Sequence, residues 1–377
     1  MDFKKHLIKL RKKTGSESFA KSRFAEDVEF VSTGNYALNR ILSGSVFNGI
    51  PAGRITLLNG ESMTGKSYIA TKCIKEAMSN KNFVHAFYVD TEGGALLALM
   101  KSMGVNLDKI EHVLVENAET SIITCLEILN TIKEAQLEQP KARFIIVFDS
   151  IGAIRAFKLF TDALEKGVNK TDMGITARKV GDLIIGMTIP ALKTKTPVLM
   201  LNHVYDDPSA LHKSKIKNFG GGKKAKFMPR VILQCTHHLE KETISGTEDK
   251  SAFFQGNALN FFTCKTNNCR PFHECTLTNN FMEVDDPYDG LFPVALKYGF
   301  IIQSASRYQV PLYSGDKNWF KKELINDKKI ADEMWKILLP LVDEESKKDL
   351  AFTSSENYAI PEVTESDLEE IIESKNE

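Results

Sequence analysis

The stretch from residue 60 to residue 67 constrains this 377-residue chain more than any other part of its sequence. It has the form Gly-x-x-x-x-Gly-Lys-Ser, between an apolar strand pattern at 54–58 and a helical pattern at 67–78. Glycines let a backbone wrap a phosphate and offer it N–H groups, and a helix start adds partial positive charge. The pattern predicts a nucleoside triphosphate site formed by Gly60, Glu61, Ser62, Met63, Thr64, Gly65, Lys66 and Ser67.

Two acidic side chains follow other apolar strands, where the same chemistry needs them. Lys66 is expected to neutralise the β- and γ-phosphates of ATP, and the Ser67 hydroxyl to bind Mg²⁺. Asp149 ends the apolar run 144–148 and is the second expected Mg²⁺ ligand. Glu92 is the expected base that activates the attacking water. Asp90 shares its strand face by alternation, so parity does not separate the two acids.

Strand and helix patterns alternate from about residue 30 to residue 201. Such alternation predicts an α/β fold with a central, mostly parallel sheet, and later strand patterns predict antiparallel strands that extend it. Four divisions are expected: an N-terminal arm at 1–30 that docks on a neighbouring protomer, an ATPase core at 31–300, a C-terminal helical extension at 301–345 and an acidic mobile tail at 346–377. The last helix of the extension is expected to stop before Pro340.

The formal net charge is zero, yet the charge is unevenly distributed. Residues 1–24 carry eight basic side chains against two acidic ones, whereas residues 362–377 carry seven acidic side chains against one lysine. Such asymmetry points to electrostatic partners. We expect the basic arm to bind a neighbouring subunit. We expect the acidic tail to compete with DNA for the basic surface of the protein. The start is charged and lacks an apolar secretion core, which predicts a cytoplasmic protein without a membrane partner.

A second basic segment lies at 211–230, where seven basic side chains occur without an acidic one. Glycines in its middle would let the backbone lie against a ligand, while basic groups contact phosphates and an aromatic ring stacks on bases. It is expected to be a long loop without regular structure. The expected DNA-binding residues are Lys213, Lys215, Lys217, Phe219, Gly220, Gly221, Gly222, Lys223, Lys224, Lys226 and Arg230, with Phe227 as an alternative stacking ring.

Asn202-His203 ends the apolar strand that leads into this basic segment. A polar pair in that position is suited to detect the γ-phosphate and to pass its state to the loop that follows. The two features together favour a nucleic-acid contact controlled by ATP.

Several motifs in this order resemble the RecA-type recombinases, most closely their UvsX-type members in tailed phages. The resemblance covers about residues 20–300 and is weak beyond residue 300. Its motifs are the segment 54–67, Tyr88-Val89-Asp90-Thr91-Glu92, 102–105, Val147-Phe148-Asp149-Ser150-Ile151-Gly152, Asn202-His203-Val204-Tyr205, Gly220-Gly221-Gly222, 286–291 and 295–300.

The resemblance implies a RecA-like core that polymerises on single-stranded DNA as a helical filament, with ATP between neighbouring subunits. Glu92 falls on the catalytic glutamate and His203 on the γ-phosphate sensor. The basic segment at 211–230, called the glycine-lysine segment from here on, falls on the second DNA-binding loop. Residues 158–172 fall on the first. Phe19 or Phe24 falls on the anchor of the N-terminal arm.

Three positions depart from the family pattern. Lys265 falls on a basic position that reaches the neighbour's ATP, but the second basic residue expected two positions later is Asn267. Arg270 is an alternative for that contact. The aromatic residue that stacks on adenine is replaced by Leu99.

The resulting prediction is a DNA-dependent ATPase that catalyses homologous pairing and strand exchange in recombination, repair and recombination-dependent replication. Its cofactors are ATP and Mg²⁺, and its partners are single-stranded and duplex DNA, further copies of itself, single-strand-binding proteins and mediator proteins. If the chain is phage-encoded, its compartment is the cytoplasm of an infected bacterium. The alternatives are a RecA-core helicase, a recombinase paralogue or filament mediator that does not exchange strands, and a DNA-coating protein without hydrolysis.

Overall fold

The computed structural model describes seven stretches of the chain. They are residues 3–18, 28–94, 97–159, 173–205, 218–242, 253–280 and 286–352.

Nine of the described strands form one sheet, in the order β11-β10-β9-β3-β7-β6-β4-β5 with β8 paired to β7. The contacts from β9 to β5 are parallel, while β10 and β11 are antiparallel additions. The predicted fold class is therefore confirmed. The strands are β1 Phe30–Val31, β2 Ile50–Pro51, β3 Ile55–Gly60, β4 Phe83–Asp90, β5 Ile110–Leu114, β6 Arg143–Asp149, β7 Val198–Tyr205, β8 Asn218–Phe219, β9 Val231–Glu242, β10 Phe253–Lys265, β11 Glu274–Asn280, β12 Ile302–Ser304, β13 Arg307–Gln309 and β14 Asn318–Trp319.

Helices cover both faces of this sheet. On one face α3 packs with strand residues such as Leu58 and Ile145, and on the other α5 and α6 pack with Leu57 and Met200. Burial on both faces explains why the central strands are continuous apolar runs. The helices are α1 Phe3–Thr14, α2 Tyr36–Ser43, α3 Lys66–Ser79, α4 Leu97–Ser102, α5 Ala118–Glu138, α6 Met173–Thr194, α7 Gly222–Phe227, α8 Leu291–Lys297, α9 Pro311–Ser314, α10 Lys321–Asn326 and α11 Lys328–Leu350.

The C-terminal elements pack around a core of their own, built by α8, α11 and the small sheet β12-β13-β14, with Trp335 as its largest fully buried side chain. Asp349 ties this unit to α2. Its Oδ2 accepts hydrogen bonds from Arg40 Nη2 and Lys297 Nζ, each 2.7 Å away, and from the Tyr298 hydroxyl. Burial opposes ionisation of Asp349, but these donors outweigh it and hold its pKa below the usual range.

Two observations differ from the sequence predictions. Helix α11 continues through Pro340 to Leu350 instead of stopping before the proline, and so it crosses the expected division at 345. Leu338, Val342 and Leu350 are fully buried on its inner face, and this packing outweighs the backbone hydrogen bond that a proline removes. The segment 218–230, predicted to lack regular structure, contains β8 and the helix α7.

Helix α1 has no buried residue, and its last turn carries Arg11, Lys12 and Lys13, which complement the helix dipole. Within the described stretches, no helix combines the length and the apolar character that crossing a membrane requires.

Candidate active site

The phosphate loop lies where β3 ends and α3 begins. Gly65 precedes the helix with φ of 80°, and Met63 has φ of 64°, so the loop turns through two left-handed positions. A Cβ on Gly65 would lie 2.5 Å from Leu259 Cδ1, so a larger residue would displace Leu259 and would also be strained at this positive φ. The first four N–H groups of a helix have no intrahelical acceptor, so the start of α3 offers donors to an anion.

Lys66 is buried at the first position of α3. Its Nζ donates to the carbonyl of Gly60 at 3.1 Å and to that of Glu61 at 2.6 Å, so the ammonium lies against the loop. Burial lowers the pKa of Lys66, although Asp149 and Glu92 oppose this effect. A buried ammonium whose hydrogen bonds go to two neutral carbonyls has affinity for an anion, and a triphosphate supplies one.

Ser67 and Asp149 are close enough to share a cation. Ser67 Oγ donates to Asp149 Oδ2 over 2.9 Å, and the Tyr88 hydroxyl donates to the same oxygen over 2.6 Å. Burial raises the pKa of Asp149 despite these two donors. Because Mg²⁺ prefers oxygen ligands and its charge would offset the cost of a buried carboxylate, this donor set fits the ion.

Glu92 and His203 meet across the carboxyl ends of two strands. His203 Nε2 lies 2.9 Å from Glu92 Oε1, and Ser150 Oγ donates to the same oxygen. Burial acts to raise the pKa of Glu92, but the hydrogen bonds from Ser150 and His203 outweigh it and hold the pKa below its usual value. Glu92 is therefore a carboxylate at neutral pH, as a base must be.

Asp90 has a different environment from Glu92. It is 1% exposed, and its Oδ1 accepts the backbone N–H groups of Glu92 at 2.9 Å and of Gly93 at 2.8 Å. His112 Nε2 lies 3.1 Å from its other oxygen. Asp90 thus shapes the turn that presents Glu92, and the exposed Glu92 is the acid of the two whose charge acts on Lys66.

A short chain of contacts joins His203 to the glycine-lysine segment. The neighbouring Asn202 is fully buried, its Oδ1 accepts the backbone N–H of His203 at 2.9 Å, and its Nδ2 donates to the carbonyl of Gly220 at 3.2 Å. The strand β8 also pairs with the end of β7, with Phe219 opposite Val204. The strand end and the segment are therefore in direct contact.

The lysines of the segment have unequal environments. Lys224 Nζ lies 2.9 Å from Asp182 Oδ1 on α6, and Lys226 Nζ donates to Asn218 Oδ1 at 3.2 Å. Lys223 is exposed and has no ion pair within the described residues. Phe227 is 71% exposed, whereas Phe219 packs against the apolar core, so Phe227 is the ring that is accessible to a partner.

The opposite edge of the sheet carries a basic cavity, defined here by Arg54, Arg230 and Lys265. Its volume is about 250 Å³, and no acidic residue lines it within the described chain. Arg54 and Arg230 precede the amino ends of two adjacent parallel strands, β3 and β9. Burial lowers the pKa of Lys265, and the nearby Arg230 lowers it further.

The remaining candidates have other positions. Arg270 forms an ion pair with Asp349 over 3.6 Å and does not line the basic cavity, while Leu99 packs against the apolar core. Several sequence candidates lie outside the described residues, namely Phe19, Phe24, 160–172, Lys213, Lys215, Lys217 and the tail from residue 353.

Sequence reasoning missed Tyr88, Ser150, Asp182 and Arg54 as participants in these contacts. Tyr88 could have been found because it precedes Asp90 by two residues in one strand, and Ser150 because it follows Asp149 directly. The pairing of Asp182 with Lys224 joins residues 42 positions apart and leaves no local signal.

The chain is similar to several known proteins over most of its length. The chain is 24% identical over 327 residues to the "Recombination and repair protein" of Enterobacteria phage T4, covering 86% of this chain and 75% of the relative. It is also 24% identical to "Protein RecA" of Mycoplasma genitalium, with coverage of 78% and 79%, and to "Protein RecA" of Malacoplasma penetrans, with 90% and 96%. The RecA N-terminal domain family matches residues 2–283, and this chain therefore belongs to the RecA family.

Proposed function

We propose that this protein is an ATP-dependent DNA recombinase that forms helical filaments on single-stranded DNA and catalyses homologous pairing and strand exchange. The observation that carries the proposal is the 2.9 Å contact between Glu92 and His203, beside the phosphate loop and one residue from the link to Gly220. A base for ATP hydrolysis and a DNA-binding segment are thereby connected through one histidine.

The proposed hydrolysis assigns one task to each group. The loop N–H groups and Lys66 hold the phosphates, and Ser67 with Asp149 holds Mg²⁺, which supplies charge neutralisation of the phosphate oxygens. Glu92, already a carboxylate, orients the attacking water and accepts its proton. Ser150 and Tyr88 keep the two carboxylates, Glu92 and Asp149, in place.

The proposed coupling to DNA begins when the γ-phosphate attracts the His203 ring away from Glu92. The Asn202 side chain accepts a hydrogen bond from the backbone N–H of His203. This movement therefore alters the hydrogen bond that Asn202 donates to the carbonyl of Gly220. Lys223 and its neighbours then contact the DNA backbone, and Phe227 is accessible to bases or to a neighbouring subunit.

The proposed assembly joins subunits head to tail. The basic cavity lies at the edge of the sheet opposite to the phosphate loop, so a neighbouring copy could present Lys265 to the nucleotide of the next one. A contact between two different surfaces that does not close on itself produces a helical filament. Helix α1, with no buried residue in the single chain, is the proposed second docking element.

The test is strand exchange between circular single-stranded DNA and homologous linear duplex, with ATP and Mg²⁺. We expect joint molecules with the homologous duplex and none with a heterologous one. Electron microscopy of the same mixture should show continuous filaments. Closed rings would favour the helicase alternative, and filaments without joint molecules would favour a paralogue or mediator.

A further inference from the structure

Three amide side chains form a row across the middle of the sheet, close to the phosphate loop. Asn59 lies on β3 immediately before Gly60, and the strand register places it beside Asn202 on β7 and beside Gln234 on β9. Their exposed fractions are 1%, 0% and 5%, so all three are buried. Adjacent strands are about 4.8 Å apart, which brings register neighbours within reach of one another.

The register also fixes the face of the sheet on which this row lies. Two residues earlier, the same three strands carry Leu57, Met200 and Ile232, all of which belong to the apolar core beneath α5 and α6. Side chains two positions apart share a face, so the amide row lies on this side and not on the side of α3.

Asn59 differs from its neighbour Asn202 in its hydrogen bonds. Both Asn202 amide atoms are engaged, with the N–H of His203 and the carbonyl of Gly220. By contrast, neither Oδ1 nor Nδ2 of Asn59 has a hydrogen-bond partner within the described part of the chain. Leaving both ends of a buried amide unpaired costs free energy, and such a group calls for an explanation.

We propose that Asn59 is a positioning residue that couples the nucleotide site to the DNA-binding segment. When His203 moves towards the γ-phosphate, the Asn202 amide leaves the carbonyl of Gly220 and pairs with Asn59. The hydrogen bonds that Asn59 lacks in this structure thus form when ATP is bound, and they favour release of the glycine-lysine segment for DNA. This inference rests on the proposed function, and it adds a residue outside the nucleotide and DNA contacts.

The test uses the matched variants N59V and N59T, which have the same shape and differ in one hydroxyl. The readout is the affinity for a single-stranded oligonucleotide with a non-hydrolysable ATP analogue, divided by the affinity with ADP. We expect N59V to lower this ratio about five- to tenfold, the effect of one lost hydrogen bond, through weaker binding with the ATP analogue alone. N59T keeps one hydrogen-bonding group and should lower the ratio less.

The control is T56V, because Thr56 is on the same strand and 1% exposed, and its Oγ1 is also unpaired within the described residues. Its register neighbours Leu199 and Val231 belong to the core on the opposite face, beside α3. T56V should leave the affinity ratio at the wild-type value. Hydrogen exchange of the amides at 220–226 in the same proteins should show a smaller response to the ATP analogue in N59V only.

The outcomes separate this inference from the function on which it rests. If wild-type affinity for single-stranded DNA does not depend on the nucleotide, the proposed function fails and this inference fails with it. If the wild-type protein shows the dependence and N59V and N59T both retain it in full, Asn59 is not a positioning residue and the proposed function stands.

Discussion

The two edges of the central sheet differ in the sign of their charge. At the carboxyl ends of the parallel strands, Asp149 and Glu92 accept hydrogen bonds from neighbouring side chains and lie near the buried Lys66. At the amino ends, the basic cavity gathers Arg54, Arg230 and Lys265 with no acidic residue in its lining within the described chain. Among the described residues, the acidic groups of the nucleotide site and the basic cavity therefore lie at opposite edges of the sheet.

This difference indicates why a single copy is an incomplete enzyme in the proposed function. In the proposed function the carboxyl edge holds the nucleotide and supplies a base, and Lys66 is the buried lysine of its phosphate loop. The amino edge brings three cationic side chains together, and like charges are costly to keep near one another unless an anion joins them. In the proposed filament, stacking the two edges of successive copies brings the basic cavity of one copy to the nucleotide of the next.

Removing the base at the carboxyl edge should have the largest effect. We expect Glu92→Gln to lower the kcat of ATP hydrolysis about 10²- to 10⁴-fold, because the amide cannot accept a proton from water. ATP and DNA binding should persist. The measurement is steady-state phosphate release, with Glu111→Gln on the neighbouring strand as the control. Unchanged turnover in Glu92→Gln would remove Glu92 from the assigned role.

Removing a cation at the amino edge should have the next largest effect. Lys265→Ala is expected to lower DNA-dependent turnover about tenfold or more if its ammonium contacts a neighbour's phosphates. An equimolar mixture of Lys265→Ala with Glu92→Gln should then recover about a quarter of the wild-type rate, since one interface in four combines two intact edges. A mixture no more active than the mean of its components would contradict a shared site.

The lysines of the glycine-lysine segment allow a smaller, graded test. Replacing Lys223, Lys224 and Lys226 with Ala should weaken DNA binding and reduce its salt dependence by up to about one per lost phosphate contact. Lys223→Ala alone should show the full effect of one contact, whereas Lys224→Ala should show less because Lys224 is paired with Asp182. The measurement is affinity over a salt titration. A slope equal to that of the wild type in the triple variant would place the segment away from the phosphates.

The smallest expected effect concerns pH. Ser150 donates to Glu92 and helps to hold its pKa below the usual value. A base is active when deprotonated, so turnover falls as the pH drops through its pKa. In Ser150→Ala this pKa rises, and the acid limb of the kcat profile should move to higher pH while the alkaline limb stays in place. Superimposable acid limbs in the two proteins would show that Ser150 does not influence the base.

The parts of the site that the sequence predicted are those with a local signature. The phosphate loop depends on eight consecutive residues, and Asp149 ends an apolar run, so neighbouring residues alone predict both. Neighbouring residues do not decide between Asp90 and Glu92, because alternation places both on one strand face. Only the bend after β4 separates them. Lys224 could not be distinguished from Lys223, because its partner Asp182 lies on another helix. Likewise, packing on both sides of Pro340 overrides a local signal for the end of a helix.

The position of Asp349, near the end of α11, determines where the chain can be shortened without loss of structure. A deletion of residues 362–377 begins beyond the last described residue and leaves the carboxylate and its donors intact, so it tests the acidic tail alone. A deletion that starts at residue 349 would remove the carboxylate that pairs with Arg40. The Arg40 side chain is only 5% exposed, so its charge would stay buried without this counter-ion. Shortened proteins of these two kinds would therefore answer different questions, one about competition with DNA and the other about folding.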